Sequence, residues 1–130
     1  MKNPSFSMSL HHSAMERTQE AVLDQDPERA RELFCKALDL ERRAAESWAE
    51  TRNEEPTRSI LYRSAASLAW SCQDYSEAER LARKGLEGKP PGDIVHELEE
   101  LLGTLARRKP LQQEPRIPRL AQGGLFAREK

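Results

Sequence analysis

Three histidines, two cysteines and 22 acidic side chains carry most of the chemical potential of this 130-residue chain. His11 and His12 are neighbours, and on a helix successive side chains point about 100° apart, so they cannot close on one metal ion as residues one turn apart do. They read as exposed groups on a frayed N-terminal stretch. Cys35 and Cys72 sit in separate stripes rich in alanine and leucine, and together with His96 they match no metal-ligand spacing. Two cysteines are too few for a disulfide framework, so they are expected to be reduced packing residues. Glu54 with Glu55, and Glu99 with Glu100, stand apart from any Ser, His or Cys pattern suited to acid–base or nucleophilic work, and read as solvated faces. There is no glycine-rich phosphate loop. The chain is therefore expected to be no enzyme, with no metal and no cofactor.

What must position these residues is a small domain. Apolar residues make up 37% of the chain and charged ones 33%, enough for one modest core. No stretch approaches the roughly 18 apolar residues of a membrane span. The opening MKNPSFSMSLHHSAM is interrupted by serines and histidines, unlike a signal peptide. A cytoplasmic protein without a membrane partner is the expectation. The net charge of -1 is unevenly shared: residues 107–130 hold seven Lys or Arg and two Glu, a net +5 that leaves residues 1–106 at -6. An acidic body argues against nucleic acid as a ligand except through the tail. Residues 108–130, with their prolines and paired glycines, read as a disordered, solubilising basic tail, and residues 1–8 as a disordered N-terminus.

Between them, every long periodic stretch of residues 9–107 follows the helical repeat and none alternates at strand length, so the fold class is all-α with about five helices. A first helix is expected from about Ser9 to Asp24. A second starts at Asp26-Pro27, a capping residue followed by a proline at the first helical position; Glu28 to Glu55 holds no Gly or Pro, and the helix is expected to run roughly 25 residues. Its stripe is Ala30, Leu33, Phe34, Ala37, Leu38, Ala44, Ala45 and Trp48. Asn53–Pro56 breaks the chain, with Glu55 or Thr57 as the cap of a third helix over 57–72. That helix is apolar nearly all round, the signature of a central element. Asp74 with Glu77 forms a capping box for a fourth helix, Gly88, Pro90 and Pro91 end it, and Asp93 opens a fifth with the single stripe Ile94, Leu98, Leu101, Leu102 and Leu105.

DPERARELFCKALDL at 26–40 and DYSEAERLARKGLEG at 74–88 share a pattern that pairs Ala30 with Ala78, Leu33 with Leu81 and Leu38 with Leu86. A small residue followed by groove-filling residues one and two turns on suits the second helix of a helical hairpin. In this the chain resembles the tetratricopeptide repeat family, built of 34-residue helix–turn–helix units. The better copy runs from about Ser59 to Gly92, with Ala66 at the small first-helix position, Tyr75 at the turn aromatic, Ala78 at the second-helix alanine and Pro90 at the closing proline. The spacing of the two alanines, 48, is longer than one repeat, so the first hairpin is expected to carry an elongated second helix. The usual first-helix tryptophan and glycine are replaced by Tyr62 and Ala65, and a generic helical bundle is the competing architecture. EPTRSILYRSAASLAW also resembles small bacterial proteins of this build.

The resemblance implies a right-handed helical array whose first helices line a concave ligand surface. Carried over to the better copy, that surface presents Ile60, Arg63, Ser67, Trp70 and Ser71, with Met15 and Gln19 on the same side of the first helix. A guanidinium and an indole two turns apart suit a peptide carboxylate and an apolar side chain. The competing assignment places Trp70 in the core and pairs Arg63 with a glutamate of the long second helix. The function implied is a non-catalytic adaptor that holds a peptide or helix of a protein partner. The alternative is a regulatory or dimerising helical body whose basic C-terminal tail binds nucleic acid or another acidic partner.

Overall fold

The computed structural model describes residues 4–112, with side chains from 5 to 108. Five helices follow one another: α1 (Pro4–Leu23), α2 (Pro27–Thr51), α3 (Thr57–Cys72), α4 (Tyr75–Leu86) and α5 (Gly92–Gln112). Among the described residues there is no strand. No described helix is long and apolar enough to cross a membrane. Each helix packs on the next in sequence, and α3 also meets α5.

The contact surfaces are built from alanine. Ala14, Ala37, Ala44, Ala45, Ala65, Ala66, Ala69, Ala78 and Ala82 are all fully buried, which lets helix backbones approach closely while Leu61, Leu81 and Leu98 fill the space between them. Gly85 extends the same logic: a Cβ there would lie 2.8 Å from Leu98 Cδ1 and 3.2 Å from Tyr62 Cβ, so the α4 backbone sits directly against α3 and α5.

Helix ends follow local chemistry. α2 is 25 residues long and begins at Pro27, but the Asp26 side chain does not cap it; it lies 3.4 Å from Arg29 instead. α2 ends where Asn53 turns left-handed (φ 53°), its N–H bonded to the Trp48 carbonyl at 2.7 Å. The Trp48 indole N–H donates to the Glu54 carbonyl at 3.0 Å and pins the connection. Glu55 Oε1, rather than Thr57, accepts a free N–H at the start of α3, that of Ser59 at 3.2 Å. Gln73 ends α3 in the left-handed region with its N–H on the last-turn carbonyls. Asp74 Oδ1 then caps α4 by accepting from the Glu77 N–H at 3.3 Å.

The C-terminus of α4 is closed from outside. Arg58, 6% exposed, donates to the carbonyls of Lys84 (3.0 Å) and Gly85 (2.9 Å) and to that of Glu87. The same guanidinium holds Glu55 at 2.8 Å and lies over the Tyr62 ring. It supplies the donors that the last turn of α4 lacks within its own helix.

Three expectations are corrected. α1 starts at Pro4 and includes residues expected to be disordered, because Ser7 is buried and Met8 packs on the core. α5 runs through residues 108–112, the expected start of the disordered tail, to Gln112; residues 113–130 lie outside the described part, as do residues 1–3. Cys35 and Cys72 are not separate thiols but a disulfide with a Cα–Cα distance of 4.8 Å. The two stripes that carry them face each other, since antiparallel packing sets the first half of α2 against the end of α3.

Candidate functional site

α3 is the helix from which a site can be built. One side is committed to packing: Arg58, Leu61, Tyr62, Ala65, Ala66, Leu68, Ala69 and Cys72 are buried. The helical period then places Ile60, Arg63, Ser67, Trp70 and Ser71 on the remaining side. All five occupy that one face, with Ser67 exposed and the other four half-buried. Of the two residues of α1 expected nearby, Met15 is half-buried and Gln19 exposed.

The two residues with most to offer a ligand already hold neighbours. Arg63 Nη1 donates to Glu97 Oε1 at 2.7 Å, an ion pair whose side chains are 33% and 50% exposed. A glutamate does pair with Arg63, then, but from α5 rather than from α2. Trp70 is not sealed in the core; its ring meets Tyr75 edge-on at 5.3 Å, and the Arg108 guanidinium lies 5.4 Å from its centroid. Along α3, the face has an ion pair near its start, a bare serine in the middle and an aromatic–cation cluster at its end.

Beside it lies a polar group that the sequence analysis did not single out. Glu41 of α2 is fully buried and accepts from His11 Nδ1 through both oxygens, at 3.0 and 2.9 Å. It is also hydrogen-bonded to Ser64 of α3. His11 is thus no frayed surface residue: its side chain is 28% exposed and held by a carboxylate. Glu41 joins α1, α2 and α3 through side chains. With Nδ1 turned to the carboxylate, Nε2 is the ring nitrogen left for any other partner. Among the described residues no hydroxyl or thiol is hydrogen-bonded to that ring, and no group of three His, Cys, Asp or Glu side chains is placed to hold a metal ion.

Burial pushes the Glu41 carboxyl above its ordinary value of 4.5, while the hydrogen bonds from Ser64 and His11 pull the other way. A raised folded-state pKa favours the folded chain when the group is protonated. This contribution is complete below the ordinary value and is lost as pH climbs through the raised one. Urea midpoints of the natural chain should therefore fall relative to those of Glu41→Gln over that pH range. A difference between the two that stays flat with pH would show that Glu41 is not titrating in the fold.

A shallow open depression along α5, lined by His96, Glu99, Glu100, Gly103, Thr104 and Arg107, belongs to one helix and does not enclose a site. Comparison with protein-family models, with curated proteins and with solved structures yields no match.

Proposed function

We propose that the chain is a non-catalytic protein-interaction module, a tetratricopeptide-like helical array that holds a peptide or helix of a partner across the outer face of α3. The observation that carries this reading is the row Ile60, Arg63, Ser67, Trp70 and Ser71, one exposed and four half-buried, on a helix otherwise packed against α2, α4 and α5. It combines an apolar anchor, hydroxyls able to meet a partner's backbone and a charged pair at the edge, the mixture that peptide grooves use. The repeat reading is supported by the burial of Ala66 and Ala78 at the hairpin's small-residue positions. It is supported too by the Arg63–Glu97 pair, which links α3 to α5 across 34 positions, one repeat length.

Ser67 gives the cleanest test, because it is the exposed member of the row. Ser67→Trp is expected to leave the thermal melt unchanged and to weaken binding of proteins captured by the natural chain at least tenfold, about 1.4 kcal/mol. Partners held equally by both chains would refute the groove. A bound fraction that is nucleic acid, and that falls steeply with added salt, would move the function to the basic tail.

A further inference from the structure

Arg108 is set apart from the other arginines of the helical body by two aromatic rings around its guanidinium; the lack of a carboxylate partner it shares, among the described residues, with Arg31 and Arg107. Arg42, Arg58, Arg63, Arg80 and Arg83 each hold a carboxylate within 3.6 Å. Arg108 pairs with none among the described residues. Its guanidinium lies 4.2 Å from the centroid of Tyr75 and 5.4 Å from that of Trp70, and its Nε is shielded from solvent with no acceptor. Two aromatic faces hold the cation in place and strip part of its water, but they supply no counter-ion. A guanidinium fixed in this way has lost most of its side-chain freedom before any ligand arrives, which lowers the entropic cost of a two-pronged contact with a carboxylate.

From this geometry we infer that Trp70, Tyr75 and Arg108 form the specificity end of the α3 face, and that its ligand is a peptide segment carrying a Glu or Asp beside an apolar side chain. The carboxylate pairs with Arg108, the apolar side chain lies on the Trp70 ring, and the exposed Ser67 and half-buried Ser71 meet the peptide backbone. The inference rests on the groove reading and deepens it. A peptide fits better than a polyphosphate because carboxylates stand close by. Asp74 and Glu77 flank Tyr75 at the start of α4, and Glu97 pairs with Arg63 further up the α3 face. One isolated carboxylate meets Arg108 without crossing them, whereas a regularly charged backbone does not.

The test uses the full chain with two libraries of 12-residue peptides, one with a fixed central Glu and one with Gln in its place. Binding is read from the indole N–H resonances; Trp70 reports the site and Trp48, tied to the Glu54 carbonyl, serves as the internal control. Peptides from the Glu library should move Trp70 and leave Trp48 in place. Arg108→Gln should weaken them at least tenfold, changing Glu to Gln in the best peptide should do the same, and the two changes together should cost no more than either alone. The peptide swap needs no protein variant and keeps the test valid if Arg108→Gln disturbs α5. Equal binding from both libraries overturns the carboxylate inference and leaves the groove standing. Neither library moving Trp70 removes both. A 12-nucleotide oligothymidylate that moves Trp70 at lower concentration than any peptide overturns it in favour of phosphate recognition.

Discussion

Replacing Arg58 with alanine should lower the unfolding free energy by about 3–5 kcal/mol, the range for breaking a buried, hydrogen-bonded charge pair. The cost has two parts. The carbonyls of Lys84, Gly85 and Glu87 lose their donor, and each acceptor left dry costs about 1 kcal/mol or more. Glu55 loses its cation but keeps the N–H groups of Ser59 and Lys89, and its side chain is 21% exposed, so its share is the smaller. Arg58→Lys should recover less than half, because one ammonium cannot reach a fan of carbonyls that a planar fork serves together. Urea midpoints at unchanged slope measure both variants. A loss below about 1 kcal/mol for alanine would mean that water replaces the guanidinium at the end of α4.

Arg58 also shows where sequence reasoning reaches its limit. An arginine in the first turn of α3 looks like part of that helix's polar side, because its function depends on the end of a helix 26 to 29 positions further on. Nothing local encodes the meeting. Glu41 is different, since its position was readable: residues 37, 38, 41, 44, 45 and 48 form one unbroken helical stripe, and five of the six are apolar. A carboxylate inside such a stripe is either a register error or a buried group with a partner. Its partner, His11, could not be found the same way, because the start of α1 is weakly punctuated and the pairing spans 30 positions.

Helix boundaries are the most legible local feature. Asn53 and Pro56 mark the break before α3 and Asp74 the one after it, and the span of 57–72 follows. The five candidate site residues, taken from the repeat resemblance, share a face because they are spaced at the helical period. The identity of their neighbours is a tertiary fact. Glu97 and Arg108 lie on α5, whose apolar stripe indicates which side packs but not how far along α3 it docks. That offset sets whether Arg63 meets a ligand carboxylate or Glu97 first, and it makes Trp70 part of an aromatic–cation cluster rather than a bare indole.

Opening the Cys35–Cys72 bond is expected to cost about 2–4 kcal/mol. The bond joins positions 37 apart, and closing a loop of that size removes about 4 kcal/mol of chain entropy from the unfolded state in the simplest treatment, with measured values commonly lower. The loop contains most of α2, the turn at 52–56 and all of α3, so the bond acts on the docking of these two helices rather than within either. Cys35 is half-buried, which gives a small dithiol reductant a route to the pair. The checks are urea midpoints with and without reductant, beside a Cys35→Ala/Cys72→Ala chain that should match the reduced protein and ignore the reductant. Coincident midpoints, or two thiols that alkylate in the native chain before any reductant is added, would return both residues to the reduced packing role expected from their apolar surroundings. The consequence reaches the α3 face as well. Cys72 follows Trp70 and Ser71 directly, so releasing it loosens the end of α3 that carries the aromatic cluster, and peptide affinity should fall with reduction even where the helices stay folded.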